Sequence, residues 1–249
     1  MSKNLVIVPT YNEIENIGLL IDKVMSLSVE FDMLVVEDNS PDGTADLVKE
    51  FAIKYPNRIF MLQRQGKLGL GTAYIAGFTY GLQHGYDYLC EMDADFSHNP
   101  EDLIRLLHAC EIEGADLAIG SRYVHGVTVI NWPIGRVLMS FFASKYVQLI
   151  TGMPIQDATA GFKCYSRKVL EMIPYQKVKF IGYAFQIQMK FLSWKFGFKL
   201  KEVPIIFMDR TRGTSKMSMS IFKEAIVGVL LMKFKSFFKT YHPATENSK

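Results

Sequence analysis

The sequence predicts an α/β fold, a mostly parallel sheet covered by helices on both faces. Three observations carry that prediction. Short apolar runs at residues 5–9, 31–36, 59–62, 88–92 and 117–121 alternate with segments of helical spacing. The runs are nearly continuous in Val, Ile and Leu, as strands buried on both faces require. Each run stops at a polar turn, and in a parallel sheet those turns gather at one edge, where open α/β sheets bind ligands.

Taken in order, Leu5-Val6-Ile7-Val8-Pro9 is the first strand and Thr10-Tyr11-Asn12-Glu13 the turn after it. Ile17, Leu20, Ile21 and Val24 then recur at the spacing of a helix with one buried face. No Gly-X-Gly-X-X-Gly stands at this turn, so a dinucleotide-binding reading loses its main support. The second strand, residues 31–36, ends in Glu37-Asp38-Asn39-Ser40-Pro41-Asp42-Gly43-Thr44. Asp42-Gly43-Thr44 suits a turn and a helix cap. Asp38 suits a ligand, since a carboxylate can accept both hydrogen bonds along one edge of a nucleobase, or bond a ribose hydroxyl.

Residues 59–62 are the third strand, followed by Gln63-Arg64-Gln65-Gly66-Lys67-Leu68-Gly69-Leu70-Gly71-Thr72. The glycines free the backbone, Thr72 is placed to cap a helix at 73–82, and Arg64 and Lys67 bring positive charge. The run lacks the Walker order, and a plain tight turn explains it equally well.

The fourth run ends in Glu91-Met92-Asp93-Ala94-Asp95-Phe96-Ser97-His98. Side chains two apart on an extended segment point the same way, so Asp93 and Asp95 can converge on one hard cation. Two carboxylates do not fill an octahedral shell; water and a substrate diphosphate would complete it, with Ser97 a candidate third ligand. The alternative is an acidic pair that merely caps the next helix, which Asn99-Pro100-Glu101-Asp102 opens and Leu103, Leu106, Leu107 and Cys110 continue.

The 249 residues, 49% hydrophobic, suffice for one large domain with an appendage. A net charge of +3 argues against a broad nucleic-acid surface. Cys90, Cys110 and Cys164 are few, widely spaced and set among apolar residues, which suits a reducing compartment. The N-terminus has no signal-peptide pattern. Charge-free stretches such as residues 146–156 fall short of the roughly 20 apolar residues of a membrane span.

Together these turns resemble the family-2 glycosyltransferases with the GT-A fold, and within them the dolichyl-phosphate (polyprenyl-phosphate) mannose synthases. The resemblance runs through Pro9-Thr10-Tyr11-Asn12-Glu13, Val36 to Thr44, Gly66 to Ala73, Met92 to His98 and Gly120-Ser121-Arg122-Tyr123. It resumes in Asp157-Ala158-Thr159-Ala160-Gly161-Phe162 and Arg212-Gly213-Thr214-Ser215-Lys216. Glu37 departs from it, since Asp is commoner there, which leaves Asp38 the safer base contact.

The resemblance implies inverting transfer of mannose from GDP-mannose to a polyprenyl or dolichyl monophosphate, with Mg²⁺ or Mn²⁺. It implies donor contacts from Pro9, Tyr11, Glu13, Asp38, Lys67, Asp93 and Ala94. Metal ligation falls to Asp93, Asp95 and Ser97, and acceptor-phosphate binding to Arg122, Arg136, Ser140, Arg212 and Lys216. Asp95, Arg122 and Arg136 are the expected catalytic residues. A phosphate monoester is already ionised near neutral pH, so no general base is nominated.

After Tyr123 a loop precedes Trp132-Pro133-Ile134-Gly135-Arg136, which opens a helix dense in apolar residues, including Phe141, Phe142, Tyr146 and Val147. Residues 130–153 read either as core or as an interfacial helix. Toward the C-terminus, Ile221, Phe222, Ala225, Ile226, Val229 and Leu230 make an apolar face, after which Lys233, Lys235 and Lys239 interleave with Phe234, Phe237 and Phe238. That pattern suits an anionic membrane surface.

The expectation is therefore a glycosyltransferase domain over residues 1–210 and an acceptor loop with a membrane-surface segment over 211–249, peripheral on the cytoplasmic face of a membrane. No protein partner is identifiable. The rival readings are a UDP-glucose-dependent polyprenyl-phosphate glucosyltransferase, an Asp-X-Asp phosphatase, and a peripheral nucleotide-sugar-binding membrane protein without turnover. The phosphatase reading is disfavoured because its pair normally follows the first strand.

Overall fold

The computed structural model of the chain describes residues 2–178, 180, 182–210 and 219–241. Strand β1 (Asn4–Thr10) buries Leu5, Val6, Ile7 and Val8 completely, alternate side chains feeding opposite faces of the sheet. Helix α1 (Ile14–Met25) then crosses to β2 (Asp32–Glu37), α2 (Thr44–Lys54) to β3 (Ile59–Gln63), and α3 (Leu70–Gln83) to β4 (Tyr88–Glu91). α4 (Asp102–Glu111) leads to β5 (Leu117–Ser121), followed by β6 (Val129–Ile130), α5 (Ile134–Thr151), β7 (Lys163–Ser166) and α6 (Arg167–Met172). The described chain closes with α7 (Tyr183–Lys195), β8 (Leu200–Pro204), β9 (Phe207–Met208) and α8 (Met219–Ser236).

The main sheet runs β3-β2-β1-β4-β7-β5-β8, and β6 pairs with β9 in a separate small ribbon. Only β7 is antiparallel to its neighbours, so the sheet is mixed and mostly parallel, as the sequence predicts. The carboxyl ends of β1, β2, β3, β4 and β5 therefore share one edge.

Two cores sandwich the sheet. Leu5, Ile7, Leu34, Val36 and Leu89 meet Tyr74, Phe78 and Phe185 on one face. Val6, Val8, Met33 and Val35 meet Ile17, Leu20, Leu103 and Leu106 on the other. α3 lies so close to the sheet that a Cβ at Gly77 would collide with Ile7 and one at Gly81 with Leu89.

Two local readings change. α3 starts at Leu70, because Gly69 at φ 100° makes the turn. Thr72 Oγ1 donates to the Leu68 and Gly69 carbonyls from inside the first turn and does not cap. Asp42 and Thr44 secure α1 as much as α2: Ile14 N–H donates to Asp42 Oδ2 at 3.1 Å, and Glu13 N–H to Thr44 Oγ1 at 3.1 Å.

α8 packs against α7 and α5. Tyr146 donates to the Ile226 carbonyl at 3.0 Å, and Lys233 to that of Thr151 at 3.2 Å. Ile134, Leu138 and Phe142 remain exposed along one stripe of α5, as do Val227, Leu230, Leu231 and Phe234 on α8. Among the described residues no helix is long and apolar enough to cross a membrane.

Candidate active site

β4 carries Cys90 and Glu91 into the core and hands the chain to Asp93 and Asp95 at the sheet edge. Between the pair and Ser97, Phe96 adopts φ 58°, a conformation uncommon for a bulky residue. Asp95 Oδ1 fixes that turn by accepting Ser97 N–H at 3.1 Å. Asn12 and Asn39 take the same left-handed backbone in the loops after β1 and β2, a conformation asparagine tolerates.

Asp95 Oδ2 lies 2.8 Å from Arg210 Nη2. Burial, and next the charge of Asp95, push the Asp93 carboxyl up to about 7; Arg210 opposes this, while Glu91 and Glu13 add to it. Tyr74 donates to Asp93 Oδ1 at 3.5 Å. Behind them Glu91 and Lys163 form a fully buried ion pair at 3.0 Å.

The donor set fits a hard divalent cation: oxygen atoms only, two carboxylates crowded until one resists ionisation, and an arginine already neutralising one of them. Among the described residues no cluster of three or more acidic, thiol or imidazole side chains is placed to hold a metal. Ser97 is buried, and its carbonyl accepts Met208 N–H at 3.2 Å.

On the β2 side, Asp38 receives a two-pronged grip from Arg64, Nε to Oδ1 at 2.6 Å and Nη2 to Oδ2 at 2.7 Å. Arg64 also donates to Thr72 Oγ1 at 2.7 Å, tying the glycine-rich turn to β2. Each Asp38 oxygen keeps a further lone pair. Glu37 is buried and accepts the N–H groups of Asn39 and Ser40, shaping the loop after β2. Lys67 lies over the Tyr11 ring, 5.3 Å from its centroid. Pro9 and Glu13 bracket the loop after β1, and Ala94 is buried between the two acids.

On the β5 side, Arg122 is buried and held by Asp157, Nε to Oδ2 and Nη2 to Oδ1 both at 2.7 Å, with Thr159 Oγ1 at 2.8 Å. Burial alone would raise the Asp157 carboxyl, but the Arg122 charge and hydrogen bonds outweigh it and hold the carboxyl below its usual range. The Trp132 ring joins two arginines: the Arg122 guanidinium carbon is 5.6 Å from its centroid and that of Arg136 is 4.1 Å. Arg136 Nη1 donates to Asp209 Oδ1 at 3.0 Å. Ser140 lies beside the Tyr123 phenol one turn along α5 from Arg136. Arg212 and Lys216 lie outside the described residues.

The structure thus brings Asp93, Asp95 and Ser97 together at one end of the site, and Arg122, Arg136 and Ser140 at the other. Sequence reasoning missed Asp157, Asp209, Arg210 and Trp132, and missed Arg64 as the partner of Asp38. Glu37 and Gln63 are register partners in the β2–β3 ladder, so the next residues, Asp38 and Arg64, come face to face. Asp157 stands within a run that carries the family resemblance, which was its only signal.

The family model for glycosyl transferase family 2 matches residues 5–173. Over 227 residues, 91% of its length, the chain is 49% identical to a polyprenol monophosphomannose synthase of Mycolicibacterium smegmatis, of which it covers 85%. It is 46% identical over 225 residues to an undecaprenyl-phosphate mannosyltransferase of Micrococcus luteus, covering 90% of this chain and 91% of that one. In fold it is similar to the glucosyl-3-phosphoglycerate synthase of Mycobacterium tuberculosis solved with Mn²⁺, UDP-glucose and glycerol 3-phosphate, with a TM-score of 0.67, 16% identity, and coverage of 94% and 80%. The same enzyme with Mg²⁺ and UDP gives a TM-score of 0.65 at 18% identity, covering 93% of this chain and 79% of that one.

Proposed function

The chain belongs to glycosyl transferase family 2, and from that premise we propose that it transfers mannose from GDP-mannose to a polyprenyl monophosphate with inversion at the anomeric carbon. One observation carries the reading: a carboxylate pair and an arginine pair stand at two ends of one site, bridged by the consecutive residues Asp209 and Arg210. Acids and arginines grouped in this way suit a reaction between two phosphorylated substrates.

A phosphate monoester has a second pKa of about 6 and attacks without a general base. The task left to the chain is orientation. Arg136, partly exposed and stacked on Trp132, presents N–H donors to the acceptor phosphate; Ser140 adds a hydroxyl. Arg122, locked by Asp157, supplies a fixed positive charge behind them. Asp93 and Asp95, backed by Ser97, would hold Mg²⁺ or Mn²⁺, whose chemistry when bound is to neutralise charge on the departing diphosphate. Asp38 meets the donor base or ribose with its remaining lone pairs. Pro9, Tyr11, Glu13, Lys67 and Ala94 are assigned to the donor side.

The test is to incubate purified protein with radiolabelled GDP-mannose or UDP-glucose, a short polyprenyl phosphate and Mn²⁺, and extract with organic solvent. Label is expected in the organic phase from GDP-mannose and not from UDP-glucose. The reverse pattern would make the chain a glucosyltransferase, and label from neither would end the enzyme reading.

A lipid acceptor calls for attachment at a membrane surface, and the reading puts it on the cytoplasmic face; among the described residues no helix is long and apolar enough to cross. The exposed apolar stripes on α5 and α8, with the exposed Lys235 beside Phe234, support a peripheral attachment to anionic lipid. Leu138 and Phe142 are 48% and 61% exposed, so replacing both by glutamate should leave the fold intact. Co-sedimentation with vesicles of anionic phospholipid is expected to fall about tenfold or more in that double variant. Unchanged sedimentation would remove α5 from the contact.

A further inference from the structure

Asp209 and Arg210 stand between the two halves of the site. Arg210 neutralises Asp95 across 2.8 Å, and Asp209 Oδ1 accepts from Arg136 at 3.0 Å. The same Asp209 oxygen accepts the N–H of Arg210 at 3.1 Å, so the two side chains are tied through one short piece of backbone. That backbone is held on its upstream side. Met208 N–H donates to the Ser97 carbonyl at 3.2 Å and Asp209 N–H to that of Ile130 at 3.0 Å.

We propose that Asp209-Arg210 is a double latch that couples cation binding to acceptor binding: Arg210 occupies the carboxylate a divalent cation needs, Asp209 occupies the guanidinium an anionic phosphate needs, and displacing either arm loosens the other. The proposal rests on the site reading given above. A guanidinium and a divalent cation compete for Asp95, and a carboxylate and a phosphate compete for the Arg136 donors. Because the two arms hang on adjacent residues, the ligand that arrives first opens the segment and the second finds it open. This is positive coupling between two sites, and by linkage it acts equally in both directions. The side chains of Arg210, Asp209 and Arg136 are 25%, 27% and 26% exposed while that of Asp95 is 8% exposed, so solvent reaches one partner of the first pair and both of the second.

The test needs no turnover. Binding of Mn²⁺ alone is followed by electron paramagnetic resonance titration, with and without saturating farnesyl phosphate, in the wild type, Arg210→Gln, Asp209→Asn and Asp95→Ala. In the wild type the lipid phosphate is expected to tighten Mn²⁺ binding roughly fivefold or more. Arg210→Gln should bind Mn²⁺ more tightly than wild type without lipid and show no further gain with it. Asp209→Asn should bind farnesyl phosphate more tightly without Mn²⁺. An equal Mn²⁺ affinity in wild type and Arg210→Gln, or no lipid effect in the wild type, would overturn the latch while leaving the metal assignment standing. If Asp95→Ala binds Mn²⁺ as well as wild type does, the metal assignment and the latch fall together. Thermal melts of each variant confirm that the compared proteins are folded.

Discussion

Asp95→Ala is expected to lower mannosyl transfer by about three orders of magnitude. Removing a cation's stabilisation of a departing diphosphate forfeits several kcal/mol at the transition state, at about 1.4 kcal/mol for each factor of ten. Stability should fall by about 1 to 3 kcal/mol, because Asp95 is buried and also accepts the Ser97 N–H, and a thermal melt checks that the variant is folded. Asp95→Asn should behave similarly in transfer, since it keeps the shape and loses the charge. Arg136→Ala makes the contrast: acceptor use suffers while donor binding persists, because Arg136 lies at the other end of the site. Radiolabel assays paired with donor calorimetry, with and without Mn²⁺, distinguish the two. An alanine variant at position 95 that kept more than a tenth of wild-type transfer would contradict the assignment.

Asp157→Asn is expected to give the largest loss of stability. Arg122 and Asp157 are both buried and joined by two short charge-assisted bonds, so neutralising the acid strands a guanidinium away from water. Breaking a buried pair from one side costs about 3 to 5 kcal/mol. For a chain of this size that lowers the melting temperature by on the order of 10 °C.

The pH dependence follows from the direction of the Asp157 shift. Its folded pKa lies below the unfolded value near 3.9, so between the two the unfolded chain binds the extra proton. The stabilisation from the ionised carboxylate is complete above about pH 5 and disappears as pH falls through the lowered folded pKa. The gap between wild type and Asp157→Asn in denaturant melts should therefore be constant at neutral pH and narrow in acid. A gap that widened in acid would show that Asp157 does not act through its charge.

The layered fold was legible because burial on both faces writes itself into each strand separately. Residues 5–8 and 33–36 are apolar without alternation, and 17, 20, 21 and 24 repeat at a helical interval; either pattern is visible within a dozen residues. The carboxylate pair was legible as two acids just past an apolar strand, although β4 ends at Glu91 and the pair lies in the turn after it and not on the extended segment the sequence reading assumed. β7 was not, because Lys163 interrupts its apolar character with a charge that only the buried Glu91 of the neighbouring strand explains. The aromatic setting of the arginines was equally hidden, since Trp132 reaches Arg122 only once the loop after β5 folds back.

The sequence by itself determined the first five strands and the helices between them, that the central strands would be buried on both faces, and which sheet edge would carry the acids. Only the tertiary structure decided which charges meet. Arg64 holds Asp38, Asp157 holds Arg122, and Arg210 holds Asp95, each pair brought from different parts of the chain. Periodicity records how a side chain relates to its own backbone. Charge pairing depends on the order and register in which strands lie side by side, and no local stretch of sequence contains that order.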